Sequence, residues 1–553
     1  MSKHRKRKKQ DKKTGDEPGI IQRHWPEITI LIIIITIAII RYRLISVPLE
    51  RDEGEYAYMG QLLLQGIPPY AEAYNMKFPG IYFIYAMVLA IFGQTHTGIH
   101  LALLVANATT IFLIYLLGKN LFDSLTGVLS GAGYGILSLS PCFHGLWANS
   151  EHYVVLFAVG GTLLLIKNIH FNKVHLLFWS GILLGLSFAT KQHGILFTLF
   201  GIGYFIFSYL KEGDYSLSHF SKKLGLLILG VIIPIGFFLL ILAVSGTLER
   251  FWFWTFKYAS AYTSMMSLEE GLLNLRKSIS YGLQVNLPIW IAAALGITSP
   301  LWDGKARSKW VFSLGFFLAS LIALSLGFYF RYHYYILLFP SLALLSGISI
   351  AALGRKISRF LSQSMYKGIL LLVIITIYSY PLFVQKKLLF QYTPSEICQR
   401  MFHFSNPFPQ SLEIARYLKL NTCINDRIAV FGSEPQIYFY AQRRAATGYL
   451  YTYPLMELHP FALEMQKEMI QEVETAMPQY LVYVNVSYSW LKREKSNTLI
   501  FDWLKSYLIE YYERAGVVDI ISNTKTHYVW GEKAKKYDPR SDNNLLIFKR
   551  RAN

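Results

Sequence analysis

Apolar runs of about twenty residues, split by short polar connectors, recur between residues 25 and 385, and each is close to the length that crosses a bilayer as a helix. The first covers 25–47. The rest fall at 98–118, 126–145, 152–168, 175–190, 194–210, 224–245, 283–300, 310–330, 333–353 and 368–385, which predicts about eleven crossings. Residues 48–97 form a long loop after the first run, with Gly54–Gln65 and Gly80–Gly93 as two short helices. The second is too short to span comfortably and is expected to lie along the interface. Beyond about residue 386 the pattern becomes mixed: helix-like 411–420, strand-like Arg427–Phe431, helical Glu457–Thr475 and strand-like Tyr480–Val486. Helices alternating with strands over 386–553 predict an α/β domain of ordinary size. The expected fold is a polytopic α-helical membrane protein with a C-terminal α/β domain.

Composition agrees, since 53% of the 553 residues are hydrophobic and 16% are aromatic. The net charge of +20 comes largely from the ends and connectors, and Lys3 to Lys13 form a dense basic tail within residues 1–24. Nucleic acid is the naive partner for such a tail. Beside a membrane span the tail instead marks the cytoplasmic side and meets anionic lipid headgroups, so no nucleic-acid partner is expected. Lys167 with Lys173, Lys211 with Lys222 and Lys223, Lys305 with Arg307 and Lys309, and Arg355 with Lys356 and Arg359 all fall inside on this alternation. An odd number of crossings then puts the C-terminal domain on the extracytoplasmic side of a cell (inner) membrane. The first run follows a polar tail and lacks a small-residue cleavage site, so it is expected to stay in the protein. Arg41 and Arg43, at its end, are expected to snorkel outward. Cys142 falls in an apolar run as a buried thiol, and a bridge between Cys398 and Cys423 is one possibility.

Candidate chemistry gathers at the outer ends of the spans. Arg51-Asp52-Glu53-Gly54-Glu55-Tyr56 is an acid cluster at a membrane exit, with Asp52 and Tyr56 on one helical face. Two readings of Asp52 stay open: a carboxylate that accepts a proton or orients an amine, or an N-cap whose capping box closes on Glu55. Lys77, before Phe78-Pro79, either meets a lipid phosphate or snorkels at a helix start. Lys191-Gln192-His193 makes a tight outer hairpin, fit for a phosphate or simply for solvation. Glu151 is a second outer acid that reaches the first loop if the helices pack together, or else faces a helix dipole. His152 has no second ligand at metal spacing. In Arg331-Tyr332-His333-Tyr334-Tyr335 an aromatic belt accounts for the tyrosines, whereas Arg331 and His333 suit a phosphate or sugar. Pro340 is expected to break the following helix.

The order Asp52-Glu53-x-x-Tyr56, Lys77-x-Pro79, Glu151, Thr190-Lys191 and His333-Tyr334-Tyr335 with Pro340 resembles the polyprenyl-phosphate-dependent glycosyltransferases of the GT-C fold. It looks most like glycosyltransferase family 39, which contains protein O-mannosyltransferases and lipid A aminoarabinose transferases. The resemblance covers about 25–385. It implies a multi-spanning enzyme that takes a sugar from a polyprenyl-phosphate carrier at the outer face, with Asp52 as the essential carboxylate and Glu53 in support. Two departures stand out. Phe78 separates Lys77 from Pro79 where many members have Lys-Pro, and Glu151 replaces a frequent aspartate.

These readings combine into an inverting transfer with Asp52 as general base and with Lys77, Lys191, Arg331 and His333 holding the leaving phosphate. Tyr56 and Tyr334 join the donor side; Glu151 is placed on the acceptor side. The acceptor class is a glycan, a lipid or a protein. A divalent metal is used in some relatives, but no ligand set is legible here. A lipid-linked sugar transporter or flippase would also need a basic, aromatic cavity, with charges deeper in the spans and repeated halves.

Overall fold

The computed structural model describes residues 20–212 and 216–551. Most of the basic tail, residues 1–19, lies outside the described residues. Every one of the eleven apolar runs contains a helix. Helix α1 (Ile20–Arg43) leads to α2 (Arg51–Leu64) and α3 (Gly80–Phe92) in the long loop. Then come α4 (His96–Leu121), α5 (Ser124–Ser138), α6 (Ser150–Phe171), α7 (His175–Thr190), α8 (Ile195–Glu212) and α9 (Leu217–Val244). A stretch with no apolar run follows as α10 (Leu248–Trp252), a π-helical turn (Phe253–Tyr258), α11 (Ala259–Ser264) and the amphipathic α12 (Leu268–Val285). The bundle ends with α13 (Leu287–Thr298), the short α14 (Gly304–Ser308), α15 (Trp310–Ser325), α16 (Phe339–Ile357) and α17 (Gln363–Val384).

Among the described residues seven helices are long and apolar enough to cross a membrane, or eight if a bent pair counts as one, and α3 and α7 are shorter apolar helices. The chain is a multi-pass membrane protein. The bent pair lies where the 283–300 run was expected to be one straight span. Pro288 starts α13 instead, and α12 and α13 meet at 102°. Proline disfavours helix in the residue before it, so the turn belongs at Asn286-Leu287. Pro340 likewise sits in the first turn of α16, where a missing N–H costs nothing, and it opens the helix rather than breaking it.

Two connectors expected on one side do converge. Lys305 Nζ and Arg355 Nη1 both meet Asp123 Oδ2, at 2.8 and 3.2 Å, between α4 and α5. Arg41 does not snorkel. It is buried and donates to Ser138 O (2.7 Å), Gly145 O (3.1 Å) and Asn107 Oδ1 (3.1 Å), because carbonyls freed where α5 ends satisfy it inside the bundle. All three cysteines are free thiols, with Cys398 buried and Cys423 exposed.

The C-terminal unit begins with α18 (Pro394–Phe402) and α19 (Phe408–Leu420), before a six-stranded sheet. Its strands are β1 (Arg427–Phe431), β2 (Arg444–Ala445), β3 (Tyr480–Asn485), β4 (Tyr512–Ser522), β5 (Lys525–Trp530) and β6 (Asn544–Arg550), in the order β2-β1-β3-β6-β4-β5. The β2-β1-β3 side is parallel and the remainder antiparallel. A short helix, α20 (Gln436–Ala441), follows β1 and lies on α2. Tyr56, Tyr58 and Tyr82 from the loop helices therefore share one apolar core with Ile428, Val482 and Ile547 from the sheet. The site helix is clamped between bundle and sheet.

That clamp explains Gly54. A Cβ there would lie 2.6 Å from the backbone N of Gln436, too near for any side chain. Gly54→Val is accordingly expected to cost at least the roughly 1–3 kcal/mol of ordinary overpacking and to part α2 from α20. Lower thermal stability in detergent and faster proteolysis of the C-terminal unit would be the readout.

Candidate active site

Helix α2 starts one residue before Asp52. Glu50, in extended conformation, is the N-cap: its carboxylate accepts from Glu53 N (3.1 Å) and Asp52 N (3.0 Å), and Glu53 closes the capping box. The structure thus removes the N-cap reading of Asp52, whose side chain has no capping duty. It points into a cavity of about 450 Å³ between the bundle end and the C-terminal unit.

Lys77 Nζ lies 2.6 Å from Asp52 Oδ1 and 3.4 Å from Glu55 Oε2, over the Tyr56 ring at 4.6 Å. The loop carrying it is pinned at both sides: Tyr70 Oη donates to Lys77 O at 2.5 Å, and Gln192 Nε2 donates to Met76 O at 2.7 Å. Pro79 then starts α3. Tyr451 Oη, from the C-terminal unit, donates to the same Asp52 oxygen at 3.0 Å. On the other oxygen, His333 Nε2 stands 3.7 Å away.

A second ion pair runs alongside. Lys191 bonds directly to Glu151, which is fully buried, and sits over the Tyr334 ring at 4.3 Å. His333 is also 3.8 Å from Glu151 Oε1, so it bridges the two acids. The segment carrying His333 is irregular: Phe328 and Phe330 hold φ of 57° and 45°, left-handed values that side chains rarely adopt. Arg331 lines the cavity, with Nη2 3.4 Å from Tyr262 Oη and its guanidinium over Tyr329.

Burial alone would raise the Asp52 carboxyl, but the Lys77 ammonium 2.6 Å away, with Lys191 beyond it, outweighs burial and holds it well below the usual carboxylate range. Glu55, fully buried with Tyr82 Oη 2.8 Å away, is pushed by that burial up to about 7. Burial together with Lys191, Lys77 and Arg331 keeps His333 well below its ordinary value, despite Asp52. That direction favours the uncharged imidazole, where the sequence suggested a fixed charge.

Asp52, Lys77, Lys191, Arg331, His333 and Tyr334 all line the cavity. Glu151 and Tyr56 lie directly behind them, against Lys191 and Lys77. Glu53 does not face the cavity. Its carboxylate accepts from Ala148 N at 2.5 Å and contacts His100 Nε2 at 2.9 Å, locking α2 to the bundle. Sequence reasoning missed Tyr451 and Tyr453, and also the aromatic arm of Trp254, Tyr258 and Tyr262 on the cavity's other wall. The run Gly448-Tyr449-Leu450-Tyr451-Thr452-Tyr453, three tyrosines in alternation, was the available signal. Tyr74 N donates to Gly448 O at 2.8 Å and ties this run to the first loop. Among the described residues no group of three or more His, Cys, Asp or Glu is placed to hold a metal ion.

This architecture recurs in known proteins. ArnT from Cupriavidus metallidurans, solved bound to undecaprenyl phosphate, superposes with a TM-score of 0.52 at 12% identity, covering 83% of this chain and 93% of that one. The oligosaccharyltransferase of Archaeoglobus fulgidus, in its apo form, gives 0.52 at 11% identity over 96% of this chain and 76% of that one. The archaeal oligosaccharyltransferase AglB from the same organism, in complex with an inhibitory peptide and a dolichol-phosphate, gives 0.52 at 10% identity, covering 93% and 75%. Residues 76–238 match the model of the dolichyl-phosphate-mannose-protein mannosyltransferase family. The chain is a glycosyltransferase of the GT-C fold. A comparison with curated proteins finds no match. In this GT-C chain the family match starts at Met76, one residue before Lys77, and runs through Glu151 and Lys191; α2 with Asp52 precedes it.

Proposed function

We propose that the protein transfers a sugar from a polyprenyl-phosphate carrier to an acceptor on the extracytoplasmic face, with inversion at the anomeric carbon. The observation that carries this reading is Asp52: a carboxylate free of capping, ionised, and placed in a cavity beside Lys77 and Lys191. A carrier of this kind leaves its tail in lipid and brings its head to the bundle end. The ligands named for the ArnT and AglB structures, undecaprenyl phosphate and dolichol-phosphate, support that choice of donor. Residues 25–385 form the transferase domain, and 386–553 cover the cavity from the extracytoplasmic side, with the N-terminus cytoplasmic.

In this mechanism Lys77 exchanges Asp52 for the incoming phosphate, with Lys191 and Arg331 adding fixed positive charge as the phosphate leaves. Losing Lys77 raises the proton affinity of Asp52 at the moment when it receives the acceptor proton. A phosphate ester leaves readily once its charge is held, so no second carboxylic acid is required on that side, unlike glycoside hydrolysis. Glu151 keeps Lys191 in place and borders the acceptor side through His333; Glu53 supports Asp52 by fixing the helix that carries it. The acceptor is a glycan, a lipid or a protein, chosen with the help of Tyr451 and its neighbours.

The test is transfer by purified full-length protein in liposomes holding a labelled polyprenyl-phosphate sugar. Loss of the sugar from the carrier to an acceptor fraction is expected. Movement of the intact glycolipid between leaflets with no cleavage would establish the transporter reading instead.

Glu55 gives this reaction a pH signature. Its carboxyl, raised to about 7, gains a proton as pH falls through neutrality and removes one of the two anions that hold Lys77. An anionic donor then binds a more positive pocket. The donor KM is expected to fall from pH 8 to pH 6, by up to about tenfold over that range if the bound phosphate raises the Glu55 pKa by a unit or more. In Glu55→Gln the KM should be low and flat across that range. A native KM that rises towards acid would contradict the assignment.

A further inference from the structure

We propose a second anion site, for the headgroup phosphate of an anionic membrane phospholipid, where α17 leaves the membrane. Helix α17 is apolar and barely buried, with Leu371, Leu372 and Ile375 more than half exposed, as expected of a span that faces lipid. Its end carries Phe383 and Val384, 65% and 44% exposed, and Phe390 follows at 47%. Lys386 and Lys387 come between them, at the level where hydrocarbon gives way to headgroups. These two lysines open on a concavity of about 610 Å³ that also receives Arg400 from α18, Tyr281 from α12 and Asn523 from the β4–β5 turn.

The charge of this concavity is unbalanced. None of the three cations makes an ion pair among the described residues, and no acid lines the space. Lys386 lies over Phe383 at 4.3 Å and Arg400 over Tyr392 at 4.1 Å, arrangements that steer each cation without neutralising it. The nearby Glu396 is engaged in its own capping box, accepting from Thr393 N at 2.8 Å and Thr393 Oγ1 at 2.9 Å. Carbonyls at the end of the π-helical turn Lys387–Gln391 would repel an anion, but Arg43 takes them from behind: it donates to Leu389 O and Tyr392 O, both at 2.9 Å. A phosphate thus finds three cationic donors and no carboxylate among the lining residues, and acyl chains find the bare flank of α17. The site is separate from the cavity around Asp52, sharing none of its lining residues.

The probe is fluorescent phosphatidylglycerol, titrated into full-length protein in mixed micelles, with phosphatidylcholine as the zwitterionic comparison. The triple variant Lys386→Gln, Lys387→Gln, Arg400→Gln is expected to bind phosphatidylglycerol about tenfold more weakly or worse, since each cation near an anionic surface contributes measurably. Lys505→Gln, Lys533→Gln, Lys536→Gln removes equal charge from the C-terminal unit and should bind as the native protein does. Arg400→Lys, which keeps the charge, should retain most of the binding and guards against a folding artefact. Equal binding of phosphatidylcholine, or unchanged binding by the triple variant, would overturn the proposal. Displacement by millimolar inorganic phosphate would show a free-phosphate site, and displacement by polyprenyl phosphate a donor route; either would overturn the phospholipid assignment.

Discussion

Asp52→Asn should lower the turnover of sugar transfer by about 10² to 10⁴, the usual contribution of a positioned proton acceptor. Asparagine keeps the shape, and its amide oxygen still accepts from Tyr451 and Lys77, which stand 3.0 and 2.6 Å from Asp52 Oδ1. It cannot take a proton. Lys77 retains Glu55 as a counter-charge, so the melting temperature should move little and the donor KM should not rise. Tyr451→Phe removes one hydrogen bond to the same oxygen and should cost far less in turnover. Single-turnover assays with labelled donor, alongside thermal unfolding in detergent, separate the outcomes. An Asn variant with native turnover would remove Asp52 from the chemistry, and one that fails to fold would assign it to structure.

The bundle was legible because apolar length is a strong, local signal: every run read along the chain contains a helix. Legibility failed where two local rules compete. Asp52-x-x-Glu55 and Glu50-x-x-Glu53 both satisfy a capping box, and composition ranks neither. The choice is made by tertiary contacts that fix the chain just before α2, with Trp147 Nε1 donating to Pro48 O at 3.1 Å and Leu49 N to Tyr440 Oη at 2.9 Å. A two-residue shift of the helix start decides whether Asp52 caps a helix or faces a cavity.

The same limit governs the C-terminal unit. The strand-like Arg427–Phe431 and Tyr480–Val486 were found because they are central and continuously apolar. Strand β5 is half-exposed at the sheet edge, and β4 and β6 carry a register shift near Arg514 and Gly516, which blurs the alternation a sequence reader looks for. The aromatic arm from α10 to α11 was invisible for a different reason: it has no long apolar run, and its rings matter only as a wall of the cavity. His333 lines the cavity beside Asp52, as the sequence order suggested, yet its charge state depends on burial that only packing reveals.

The Lys191 and Glu151 pair offers the second large effect, in stability as well as rate. Both side chains are nearly dry, 7% and 0% exposed, so removing one charge strands the other. Lys191→Met should destabilise the protein by about 3–5 kcal/mol, the usual cost of an uncompensated buried charge. The double variant Lys191→Met, Glu151→Gln removes both charges and should recover most of that stability. It should not recover transfer, because the cation over Tyr334, which the proposed mechanism assigns to the leaving phosphate, is gone. Thermal unfolding and transfer assays on the two single variants and the double variant complete the cycle. Recovery of both would make the pair a packing device alone; recovery of stability without activity is the pattern required of a lysine whose charge serves the reaction.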